Sequence, residues 1–309
     1  MSPRREPEPE FASYYGRPIL KEPTWEARDI AGYLFAGGLA GASSAIAAAA
    51  QLTGRPALAR VSRIGAVGGL GFSVVALVHD LGRPARFVNM LRVAKPTSPM
   101  SVGSWLLAGY GPLAGAALAS DLTGIARPAG YAAGVGAGVL GAGVATYTSA
   151  LFADTAVPAW HETRHELPFL FAGSAVCAAS GFALIGSPTA QVAPLRTLAV
   201  GGAALELSMS ARMPRSAGLA GETFGLGRAG ALMRSARVAT AVGAVGAGVL
   251  GGRSRAVAAA SGLALLAGSA LTRFGIFEAG RLSTQDPKYV VVPQRERLAQ
   301  QEREAATVG

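Results

Sequence analysis

Residues 30–54 read IAGYLFAGGLAGASSAIAAAAQLTG, twenty-five positions without one Asp, Glu, Lys or Arg. That length exceeds the roughly 20 apolar residues that cross the hydrocarbon core of a bilayer. Three further stretches, 96–120, 128–153 and 167–195, are also free of charge and as long or longer. Because lipid leaves every unpaired backbone group unsatisfied, apolar segments of this size must be helices. Their composition leans on Ala and Gly, 42 glycines in 309 residues, which favours close helix–helix packing over raw hydropathy. The fold class is thus an all-α integral membrane protein.

Working outward, the pattern predicts about eight transmembrane helices arranged as two four-helix bundles. The spans are 29–52, 61–79, 101–120, 128–151, 169–186, 195–212, 238–252 and 256–273. Gly37, Gly38 and Gly41 give the first span a small face for a neighbour, and Trp25 marks the membrane interface. The organisation expected is a polar tail over 1–28, a first bundle over 29–151 and a charged connecting loop over 152–168. A second bundle then covers 169–275, with a polar tail over 276–309. Arg4-Arg5 is followed by acidic residues and prolines rather than an apolar core, so the first helix is read as an uncleaved span. Between the sixth and seventh spans, Phe224, Leu226, Leu232 and Met233 among arginines predict a short interfacial helix.

The net charge of +10 lies in the loops and tails. No basic helix or aromatic–basic platform accompanies it, which argues against nucleic acid. With eight spans, 21 of the 28 basic residues fall on the side of the two termini, and the positive-inside tendency puts both termini in the cytoplasm. The setting expected is the cell (inner) membrane.

A lone cysteine, Cys177 in an apolar stretch, allows neither an internal disulfide nor a Cys-ligated iron–sulfur cluster. Three histidines are too few for two bis-histidine haems. His161 and His165 have the spacing of two ligands on one helical face, but Pro158 and Pro168 frame them and no further ligand lies near. They are read as a solvated loop, and no metal is expected. Glu206, inside the sixth span, needs a reason to be there. It is either paired with Arg212 or Arg196 or part of a proton relay. The second loop packs Asp80, Arg83, Arg86, Asn89, Arg92 and Lys95 into sixteen residues next to His79. Such a loop can bind a polar head group, deliver protons or dock a partner.

The run Asp80-Leu81-Gly82-Arg83-Pro84, with Arg86-Phe87 and the stretch Lys95-Pro96-Thr97-Ser98-Pro99-Met100-Ser101-Val102-Gly103-Ser104-Trp105, resembles the NrfD and polysulfide reductase membrane-anchor family. Tyr33 to Gly41 in the first helix, Tyr147-Thr148-Ser149 and Pro158-Ala159-Trp160 resemble the same family. The resemblance is strong from about Trp25 to Leu170 and weak beyond it. It implies a haem-free anchor of a complex iron–sulfur molybdoenzyme, polysulfide reductase-like or formate dehydrogenase-like. A four-cluster iron–sulfur subunit and, through it, a molybdopterin catalytic subunit would sit on one membrane face. A quinone, menaquinone or ubiquinone, would bind in the first bundle. Tyr147 is similar to the family's tyrosine that hydrogen-bonds the quinone head. Where the family often has Asn or His at the start of the first helix, this chain has Arg28, Asp29 and Tyr33. Asp29 and Tyr33, which share a helical face, are the candidates for the second contact. His79 is a further quinone-binding candidate, and Tyr147, Asp29, His79 and Asp80 are candidates to hold or pass protons. The competing readings are a multi-helix transporter or channel, and a structural anchor without quinone. A transporter would call for two symmetric halves, and no internal repeat is visible.

Overall fold

The computed structural model describes residues 19, 20, 23, 25–80 and 89–308. Arg83 and Arg86 lie outside the described residues. Among the described residues eight long helices succeed one another: α1 Ala27–Leu52, α2 Pro56–Asp80, α3 Pro99–Thr123, α4 Arg127–Ala153, α5 Leu167–Gly186, α6 Ala193–Ser216, α7 Gly227–Leu250 and α8 Arg255–Gln285. A ninth helix, α9, covers Lys288–Val308, and short helical turns cover Pro158–Glu162, Thr189–Gln191 and Gly218–Phe224. No strand occurs among the described residues.

Local signals explain the boundaries. Asp29 sits in the first turn of α1, where the helix dipole favours an acid. Gly54, at φ 69°, stops that helix and Pro56 starts the next. Ser98 caps α3, its hydroxyl accepting from the Ser101 amide at 3.5 Å, and Gly124 at φ 74° ends it. The Ser254 hydroxyl caps α8 in the same way.

Six of these helices, α1 to α5 and α8, are long and apolar enough to cross a membrane. The chain is a multi-pass membrane protein. Helices α6 and α7 are as long but are not among the six, with Arg196, Glu206, Arg212 and Arg215 in one and Arg228, Arg234 and Arg237 in the other. The sequence starts α7 at Val238, whereas the helix begins at Gly227. Ala229, Met233 and Ala236 are buried, so the helix extends through the arginines while Arg228, Arg234 and Arg237 face outward. The interfacial element expected in that region is only the turn Gly218–Phe224.

Helix α1 packs on α2 and α4, and α3 on α4 and α2; α5 packs on α6 and α8, and α7 on α8. Contacts of α1 with α5 and α8 join the two groups. Two seams let backbones touch. A Cβ on Gly41 would fall on the Gly141 carbonyl oxygen, and one on Gly141 would fall on the Gly41 oxygen. Gly181 of α5 and Gly262 of α8 repeat the arrangement. With no hydrophobic gain from water exclusion between helices in lipid, such close approach is how dispersion holds them.

The last span ends at Arg273 in the sequence reading, but α8 continues to Gln285. Ile276, Phe277, Ala279 and Gly280 are buried, so a stretch expected to be polar tail belongs to the core. Arg273 therefore lies inside the helix and is fully buried. The connecting segment 152–168 is likewise less solvated than expected, since Trp160, Thr163 and Leu167 are buried while His161 and His165 are exposed.

At the start of α9, Lys288 contacts Glu222 at 2.5 Å and the Tyr289 hydroxyl donates to the same carboxylate at 2.6 Å. The hydrogen bond from Lys288, then that from Tyr289, holds the Glu222 carboxyl below the usual carboxylate range. Burial raises the Tyr289 phenol to about 12. The depressed carboxyl stabilises this docking above the ordinary glutamate pKa, and the contribution is lost as pH falls through the lowered one. Both charges are substantially exposed, so the effect is modest. Glu222→Gln should raise hydrogen exchange at the start of α9 up to about fivefold at neutral pH. Unchanged exchange would mean the carboxylate does not hold this helix down.

Candidate functional site

One end of the first four helices encloses a cavity of about 80 Å³. The first turns of α1 supply Ile30, Tyr33 and Leu34, and the end of α2 supplies Leu77 and Asp80. The start of α3 gives Ser104 and Leu107, and the end of α4 gives Tyr147, Leu151 and Phe152. Antiparallel neighbours joined by short turns bring these helix ends together. The walls are mostly apolar, and their polar side-chain groups are two phenols, one hydroxyl, one carboxylate and the indole of Trp25. This is the donor set suited to a flat apolar ring with polar oxygens at its edge.

The two phenols are 114 positions apart in sequence, yet their hydroxyls hydrogen-bond to each other. Tyr33 is 3% exposed, and Tyr147 is half-buried. Ser104 directs its hydroxyl to the Met100 carbonyl at 2.8 Å, one turn back. Gly103 makes room for Tyr147, since a Cβ there would fall on the edge and hydroxyl of the phenol. Gly103→Ala should therefore push the ring aside and break the Tyr33–Tyr147 bond. The expected cost is about 1 kcal/mol, the net worth of one hydrogen bond, read as a lowered thermal midpoint in detergent. An unchanged midpoint would show that the ring has another place to go at no cost.

Asp29 and His79 form a pair beside the cavity, Oδ2 to Nδ1 at 2.7 Å. His79 is largely exposed while Asp29 is mostly buried, so the imidazole faces outward and the acid inward. Neither lines the cavity; Asp80, next in the chain, does. Lys95 is exposed at the same end, its backbone amide donating to the Ser101 hydroxyl at 2.9 Å in the turn that enters α3. Of the residues expected to act together, Tyr33, Tyr147 and Asp80 meet in one wall, with Asp29 and His79 beside it.

Nothing in the sequence singles out Ser104 or Phe152, and Trp25 stands out there only as an interface residue. Trp25 also lines the cavity, and its ring stacks with Phe152 at 6.4 Å and Trp160 at 6.1 Å between centroids. Phe152 and Trp160 stack at 4.1 Å, and the Trp160 indole donates to the Ile276 carbonyl at 2.8 Å. This aromatic wall ties the cavity to α8. Three aromatics near predicted helix ends were the available signal.

Glu206 stands apart from the cavity. It is 2% exposed and accepts from the Thr272 hydroxyl at 2.6 Å. The partner predicted was Arg212 or Arg196, but Arg212 is exposed and Arg196 donates to the carbonyls of Ala247 and Gly248. The charge that faces Glu206 is Arg273. Its guanidinium lies 3.6 Å over the Phe171 ring and donates to the Phe171 carbonyl at 3.0 Å. Ending the last span at Arg273 hid this partner.

A sequence model of the family described as "Polysulphide reductase, NrfD" matches residues 22–191, which takes in α1 to α5 and every residue of the cavity. Among curated proteins none matches the chain.

Proposed function

The chain belongs to the NrfD polysulphide reductase family, and from that premise we propose that it is the quinone-reactive membrane subunit of a molybdopterin and iron–sulfur oxidoreductase complex. In this reading all eight long helices span the cell membrane as two four-helix bundles. Both termini lie on the cytoplasmic side, as the basic residues favour. The four-cluster iron–sulfur subunit docks on the face where the cavity opens, and the molybdopterin subunit is bound through it.

The observation that carries the reading is the cavity in which Tyr33 and Tyr147 join hydroxyls within an apolar wall. When bound, a menaquinone or ubiquinone supplies two-electron chemistry at its ring oxygens, taking up two protons for the two electrons it gains. Tyr147 turns its hydroxyl from Tyr33 to a ring oxygen, and Tyr33 keeps that hydroxyl aligned. Asp80 in the wall and the Asp29–His79 pair beside it hold protons and pass them to and from the exposed imidazole. The stacked rings of Trp25 and Phe152 keep water from the apolar side. Head-group or partner contacts fall to the loop bearing Arg83, Arg86 and Lys95.

Purifying the complex in mild detergent and extracting its lipids tests this. The reading expects stoichiometric quinone. A complex that is active with artificial dyes yet retains no quinone, under conditions that preserve bound lipid, would identify an inert anchor instead.

A further inference from the structure

At the end of the first four helices opposite the phenols lies a second cavity, of about 230 Å³. The helix ends that form it are the last turn of α1, the start of α2, the end of α3 and the start of α4. Arg60, Arg63 and Arg127 line it together with Gln51, Ser120 and Asp121. Three guanidinium groups against one carboxylate leave two positive charges in excess. Asp121 bridges two of them, with Oδ2 2.9 Å from Arg60 Nε and Oδ1 3.3 Å from Arg63 Nη1. Arg63 also donates to the Gln51 side chain, whose amide nitrogen donates to the Tyr131 carbonyl at 3.0 Å. The acid and the amide thus fix the direction of the arginines rather than neutralise the site.

Two donors remain. Arg63 Nε is buried without a hydrogen-bond partner. Arg127, in the first turn of α4, has no carboxylate partner among the described residues. The same membrane face shows what an arginine does when it serves only the fold. Arg196 donates to the carbonyls of Ala247 and Gly248 at the end of α7, and Arg255 to those of Leu184 and Ser187 at the end of α5. Arg60 also donates to the Asp121 carbonyl at 3.5 Å, yet it, Arg63 and Arg127 all line the cavity. Beside it Leu52, Leu122 and Ile125 are 62%, 62% and 71% exposed.

We propose that this cavity binds the phosphate of an anionic phospholipid. The exposed Arg127 fork takes the phosphate oxygens, the charges of Arg60 and Arg63 and the dipole of α4 add to the attraction, and the acyl chains lie along the exposed apolar side chains. Free inorganic phosphate would satisfy the guanidinium groups but not the apolar flank. The site is independent of the quinone reading, because it lies at the other end of the helices and shares no residue with the first cavity.

Native mass spectrometry of the full chain in detergent, titrated with phosphatidylglycerol, phosphatidylcholine or inorganic phosphate, tests it. Arg127→Gln changes an exposed residue without a carboxylate partner and leaves the fold intact, which the thermal midpoint checks; Arg63→Gln/Arg127→Gln removes both donors. Arg253→Gln, on the same face but outside the cavity, is the control. Losing one charge-assisted contact should weaken phosphatidylglycerol about tenfold in Arg127→Gln, and more in the double variant, while Arg253→Gln binds as the parent does. Phosphatidylcholine should bind more weakly, and inorganic phosphate at lipid-equivalent concentration should not displace the bound lipid. Equal phosphatidylglycerol binding by Arg127→Gln and the parent would overturn the proposal. So would displacement by inorganic phosphate, which would mark a free-anion site.

Discussion

Replacing Glu206 by leucine is expected to lower the stability of the protein in detergent by about 3 kcal/mol, the low end of the cost of removing one member of a buried charged pair. Arg273 is fully buried, and two of its nitrogens, Nε and Nη1, have no hydrogen-bond partner. Its favourable neighbours are the Phe171 ring, the Phe171 carbonyl and the carboxylate of Glu206. Without the carboxylate, the guanidinium keeps a π face and one carbonyl but no counter-charge in a medium that solvates it poorly. Thr272 loses its acceptor at the same time, although its hydroxyl also reaches the Gly268 carbonyl at 3.1 Å. Removing both charges should hurt less than the two single changes added together, because a buried pair replaced by apolar side chains leaves no orphan charge. The check is a double-mutant cycle of Glu206→Leu and Arg273→Leu by thermal unfolding in one detergent. Strict additivity would mean that the two charges do not compensate each other.

Tyr147→Phe should reduce quinone-linked turnover by about 10- to 100-fold, the equivalent of about 1.5–3 kcal/mol for a hydrogen bond to a group that gains charge. Phenylalanine keeps the ring in the space that Gly103 leaves for it, so the cavity retains its shape and only the hydroxyl goes. Tyr33 then loses the partner that aligns it. Reduction of artificial dyes by the soluble subunits should be untouched, because that route does not pass through the cavity. Equal loss of both activities would point to a structural role for Tyr147.

Most of the fold is visible in the pattern of charge. The four long uncharged stretches correspond to α1, α3, α4 and α5, because an uncharged run of that length has no other stable arrangement in lipid. The ends of α7 and α8 are where the pattern misleads. An arginine reads as a helix end, yet in α7 three arginines lie on the outer face of a helix whose other face is buried, and in α8 the buried Arg273 meets the Phe171 ring and carbonyl of α5 and the Glu206 charge of α6. Such partners are tertiary, and no local pattern reports them. The site divides in the same way. Tyr147 follows from the family resemblance and Tyr33 from the helical face it shares with Asp29, and nothing in the spacing of residues 114 apart says that their hydroxyls meet. Asp29 follows from that same face and His79 from its place at a helix end, and they meet because α1 and α2 run antiparallel. Trp25 and Phe152 were overlooked as cavity walls because aromatics at membrane boundaries ordinarily mark the interface. Arg60, Arg63 and Arg127 read as topology signals and become a cluster only when four helix ends converge.

The central claim, that a quinone ring occupies the cavity bearing the two phenols, is most directly tested by irradiating the purified complex with a photoreactive quinone analogue and mapping the labelled residues by mass spectrometry. The account predicts label on α1 near Tyr33 and on α4 near Tyr147, suppressed by excess unlabelled quinone. Competed label confined to α6, α7 or the middle of α8, with none on α1 or α4, would contradict it.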